Sequence, residues 1–119
     1  MKTWYLEPFD FYFYFTTQLS ELSGEEVYYK FQADLAKSTE SAALCHMDDK
    51  KRGAYIYIAP DKGASFIELV DIVAHEVYHA VGFLYEAIED NTQIQATPEI
   101  PAYIQGWLTG EIIKELGYE

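Results

Sequence analysis

The five residues His75-Glu76-Val77-Tyr78-His79 constrain this chain more than any other stretch. They fit the pattern H-E-x-x-H. On a helix, residues four apart lie one above the other on the same face. His75 and His79 can then present two imidazole nitrogens to one tetrahedral metal ion, typically Zn²⁺. Glu76 stands beside the first histidine at the edge of that face. There it can accept a proton from a metal-activated water as a general base. The plainer alternative is a pair of histidines on a solvated helix face.

The flanks predict the helix. Phe66, Leu69, Val70, Val73, Val77, Ala80, Val81, Leu84 and Ile88 recur at helical spacing and form one apolar stripe. His75, His79, Gly82 and Glu86 fall on the opposite face. Ser65-Phe66-Ile67-Glu68 has the form of a capping box, which places the start near Ser65. The pattern runs to about Ile88 and gives out in Glu89-Asp90-Asn91-Thr92.

Around this helix, 119 residues suit a single domain, and a 50% hydrophobic share is enough for a real core. Trp4 to Leu6 reads as extended and is interrupted at Glu7-Pro8. Phe9, Phe11, Phe13 and Phe15 alternate with polar or hydroxylated residues, so a strand with one phenylalanine face is predicted. Ser23-Gly24-Glu25-Glu26 resembles a second capping box and predicts a helix from about Gly24 to Lys37. Ser38 to Ser41 reads as a loop. Ala42 to Met47 and Ala54 to Ala59, joined by a polar turn ending at Gly53, predict a β-hairpin. Pro60 to Gly63 leads out of it. After a loop at Asp90 to Ala96, Thr97-Pro98-Glu99 signals a last helix, ending near Leu116-Gly117. Pro101 argues for a late or irregular start.

Charge narrows the function. The formal net charge is −12. Such a surface repels phosphates, so no nucleic-acid partner is expected. Aromatic residues make up 17% of the chain. On a strand they could stack bases, but the same charge disfavours that use. The single cysteine, Cys45, excludes an intrachain disulfide. No signal peptide is evident at the start and no stretch has the length of a membrane span. A cytoplasmic protein without a membrane partner is expected.

Two histidines do not complete a catalytic zinc site, which usually has three protein ligands and an open position. A metzincin pattern, H-E-x-x-H-x-x-G-x-x-H, is met at Gly82 but fails at Tyr85, and both methionines precede the motif. Glu99 suits a set of two histidines and one glutamate, because a helical hairpin can bring the next helix back over the motif. Glu86 lies about two turns, roughly 10 Å, beyond His79 and suits a supporting role better than ligation. Asp71, one turn before His75, is an equal candidate for that role. His46 is a further candidate ligand, reaching in from the hairpin.

His75-Glu76-x-x-His79 followed by Glu99-x-x-Ala102-Tyr103 resembles the two-helix core of gluzincin-type zinc metallopeptidases. The order of elements from about Phe11 to Leu116 is similar to that of small phage and prophage zinc peptidases. The resemblance implies His75, His79 and Glu99 as zinc ligands and Glu76 as the catalytic base. Tyr103 is a candidate for stabilising the oxyanion. Two departures stand out: Pro101 inside the second motif, and the lack of a large second domain to wall a cleft.

The expected fold is therefore α+β, a minimal zincin-like domain over residues 1–119. In it a small, mostly antiparallel sheet packs on the H-E-x-x-H helix and the C-terminal helix. The expected function is zinc-dependent hydrolysis of a peptide or protein substrate. The alternative is a non-catalytic metal-binding phage component, used in assembly or host interaction, that keeps a zincin-like fold.

Overall fold

The alternation after Pro8 becomes strand β2, Phe11–Thr16. Its side chains point to opposite faces in turn. Phe11, Phe13 and Phe15 are buried on one face, while Tyr12 and Tyr14 are half-buried on the other. Phe9, expected at the start of this strand, belongs instead to a 3-10 turn, Glu7–Phe9. Pro8 opens that turn, and Asp10 closes it in the left-handed region at φ 49°. An aspartate tolerates that conformation better than most residues.

The computed structural model describes residues 1–37, 43–59, 63–91 and 99–118. Strands β1 (Lys2–Leu6), β2, β3 (Ala43–Met47) and β4 (Gly53–Ile58) form one sheet in the order β1-β2-β4-β3. β1 pairs antiparallel with β2, and β3 pairs antiparallel with β4. The central pair, β2 with β4, is parallel. The molecule is thus α+β with a mixed sheet, and the predicted hairpin is β3–β4. The Asp48–Arg52 turn is closed by Asp48 Oδ1, which accepts from the Arg52 N–H at 2.8 Å. Gly53 is needed where the turn ends. A Cβ there would stand 2.7 Å from Cε2 of Tyr14 on the neighbouring strand.

Helix α1, Val27–Lys37, covers the tyrosine face of the sheet. It begins later than Ser23 predicts. A 3-10 turn at Leu19–Leu22 is anchored by the fully buried Leu22, and Ser23 closes that turn in a helical conformation. A residue with helical φ and ψ cannot serve as the N-cap of the next helix.

The phenylalanine face is covered by α2, Phe66–Asn91, and α3, Glu99–Glu115. Ser65 caps α2, its Oγ accepting from the Glu68 N–H at 3.1 Å. Val73, Val77, Ala80 and Leu84 from α2 meet Ile104, Leu108 and Ile112 from α3 in one core with the sheet. Each large apolar side chain among them stabilises the fold by about 1.5–3 kcal/mol. Phe66, at the start of the stripe, is instead 51% exposed and packs on Tyr118. Pro101 fits because α3 begins at Glu99. That puts the proline in the first turn, where a backbone N–H has no partner within the helix. Gly117 ends α3 at φ +99°, with Tyr118 N–H on Ile113 O and Gly117 N–H on Lys114 O. This is a Schellman cap. Ala42, Thr97 and Pro98, and the predicted loops at 38–41, 60–62 and 92–96, lie outside the described residues. Among the described residues no helix is long and apolar enough to cross a membrane.

Candidate metal centre

α2 presents His75 and His79 on its exposed side, as their four-residue spacing requires. Their Nε2 atoms face each other at 3.2 Å, with ring centroids 4.8 Å apart and planes at 75°. Two nitrogens sharing a tetrahedral zinc at about 2.0–2.1 Å stand about 3.3 Å apart. The spacing of the pair therefore matches that between two corners of such a site. The same distance also suits one proton shared between the rings.

Glu76 takes the other side of the helix edge. It is only 7% exposed and lies among Val73, Val77 and Ala80, all fully buried. Burial pushes its carboxyl above the usual carboxylate range, while His75 and His79 pull it the other way. A raised carboxyl is better matched to taking up a proton near neutral pH than an ordinary one. Cys45, on β3, feels this carboxylate too. Its thiol is held well above the usual range, chiefly by burial and then by the Glu76 charge.

A groove lies against each histidine of the pair. A smaller one, about 290 Å³, is lined by Ala43 of β3 and by Asp71, Ile72, His75 and Glu76 of α2. Because β3 ends the sheet, this groove runs beside a strand edge that no described strand pairs with. A larger groove, about 670 Å³, lies between Tyr78, His79 and Glu86 of α2 and Pro101, Ala102 and Gln105 of α3. Gln105 fixes the two helices, its Nε2 donating to the Ala74 carbonyl at 2.9 Å.

No family model, curated protein or solved structure matches this chain. The chemistry of the site rests on its own residues.

His75, His79 and Glu76 are brought together. Glu99 is not: it is exposed in the first turn of α3, and the α3 residues that share a groove with His79 are Pro101, Ala102 and Gln105. Among the described residues no three His, Cys, Asp or Glu side chains converge as a metal site would require. Glu86 lines the larger groove and Asp71 the smaller one. Tyr103 is 74% exposed and lines neither groove. His46 is held on the α1 side of β3, its Nε2 2.6 Å from Asp34 Oδ2 and its ring edge-on to Phe31.

Sequence reasoning missed Gln105. Its only signal is a polar residue next to Ile104 on an otherwise apolar helix side. It also missed the closeness of Cys45 to Glu76, which depends on how β3 packs under α2.

Proposed function

We propose that this protein is a zinc-dependent metallopeptidase with a zincin-like fold, in which His75 and His79 hold the metal and Glu76 is the general base. The observation that carries the reading is the pair of facing Nε2 atoms, 3.2 Å apart, beside a buried carboxylate with a raised pKa. When bound, zinc supplies a Lewis acid that activates water and polarises the scissile carbonyl. Glu76 accepts the proton of the attacking water at its carboxylate and passes it to the leaving amine as the C–N bond breaks. The outer edge of β3, which no described strand pairs with, supports a peptide substrate, since an extended chain can join such an edge through backbone hydrogen bonds. The smaller groove, lined by Ala43 of that strand together with His75 and Glu76, supports the same reading. Glu99 is the proposed third ligand, and reaching the pair would take movement at the start of α3.

A second reading is a metal-binding phage component without catalysis. It is kept because a fold does not by itself fix a function. Metal analysis of the purified protein, run beside a peptide-library cleavage assay, separates the two. The peptidase reading expects one zinc per chain and cleavage that disappears in Glu76→Gln. Zinc without cleavage of any peptide leaves the second reading.

A further inference from the structure

The larger groove, between α2 and α3, has a composition that the hydrolytic chemistry does not use. Its walls are mainly apolar and aromatic, with Tyr78, Phe83 and Tyr85 among them. Glu86 is the one carboxylate on the described wall, and no described lysine or arginine lines it. The chain as a whole is strongly acidic, with a net charge of −12. His79 lines it too, so the groove adjoins the histidine pair. The Tyr85 hydroxyl is buried with no hydrogen-bond partner among the described residues. A buried hydroxyl in that state is destabilising until a partner is supplied.

We propose that this groove is a subsite for a lysine or arginine side chain of a bound peptide. The chemistry matches in three ways. The aliphatic stem of either side chain covers apolar surface while its head stays polar. The cationic head is attracted to aromatic faces. At the rim it meets the Glu86 carboxylate, which a plain aliphatic side chain would leave without a counterion. An acidic side chain would meet both Glu86 and the overall negative field. The proposal rests on the metallopeptidase reading in taking the ligand to be a peptide, but its readout is binding.

Gly82 provides a clean block. It lines the groove, and a Cβ built there meets nothing within 4 Å. A larger residue also favours helix more than glycine does. The probes are fluorescein-labelled heptapeptides of alanine with arginine, lysine, norleucine or glutamate at the centre. Binding to the full chain is followed by fluorescence anisotropy. Arginine and lysine peptides are expected to bind at least about tenfold more tightly than the norleucine and glutamate peptides. Glu86→Gln should close the gap between arginine and norleucine. Gly82→Phe should weaken the arginine peptide about tenfold with an unchanged circular dichroism spectrum. Should Gly82→Phe fail to fold, Glu86→Gln, an exposed-site change, still decides. Equal binding of arginine and norleucine, an undiminished gap in Glu86→Gln, or no binding of any peptide overturns the proposal. Cleavage is measured on the same samples. Arginine-selective binding without cleavage sustains this subsite and counts against the peptidase reading, whereas cleavage indifferent to the central residue does the reverse.

Discussion

His46 and the His75–His79 pair lie on opposite faces of the sheet, and their surroundings differ in kind. His46 is partly buried, 2.6 Å from the Asp34 carboxylate and against the Phe31 ring. Its Nε2 already has a partner within the protein, and the contact ties β3 to α1. Among the described residues His75 and His79 have each other at Nε2, on an exposed helix face beside two grooves. At His46 the carboxylate partner and the Phe31 ring make the histidine a packing element. Two histidines whose nitrogens face each other can share one proton or one metal. The chemistry at a histidine thus follows from what its second partner is, which residue type alone does not reveal.

The largest effect is expected at the pair. His75→Ala or His79→Ala should lower zinc affinity beyond the roughly 10–100-fold that loss of a supporting residue costs. His46→Ala should leave zinc binding unchanged. Competition against a chromogenic chelator measures all three. A double variant lacking both His75 and His79 that still carries one zinc per chain would end the assignment and erase the contrast with His46.

Glu76→Gln comes next. The amide cannot take up a proton, so the zinc should remain while hydrolysis falls by about 10²–10⁴-fold, the usual contribution of a general base. Metal content and peptide turnover on one preparation check both halves. Loss of zinc in this variant would show that Glu76 supports the metal and not the proton transfer.

A smaller effect separates Glu99 from Glu86. As third ligand, Glu99 should weaken zinc binding more when changed to alanine than Glu86 does. If Glu86→Ala loses more affinity, the donor set must be rebuilt without the start of α3. Because Glu99 stands apart from the pair here, this ranking defines the site more closely than any single affinity can.

The smallest effect belongs to His46. Asp34→Asn should cost about 1 kcal/mol or less in urea denaturation, as befits a partly exposed pair, with zinc affinity untouched. A change in zinc affinity in that variant would couple the two faces and undo the contrast.

Much of this molecule is set by residues close together in the chain. The apolar stripe of α2, the alternation of β2 and the Ser65 cap follow from helix and strand periods, which act over one or two turns. The facing of His75 and His79 follows from the same helical repeat. Where local signals failed, a nearby buried residue had overridden them: Leu22 anchors a 3-10 turn that displaces the cap expected at Ser23. The parallel pairing of β2 with β4, the edge position of β3, the burial of Glu76 and the two grooves come instead from tertiary packing. So do the Gln105 bond to Ala74 and the separation of Glu99 from the histidines. These depend on how two helices and a sheet share one core, and packing of that kind sets register between residues far apart in the chain. No pattern within a single helix or strand carries that information, because its period records only which side faces inward and not what lies across from it.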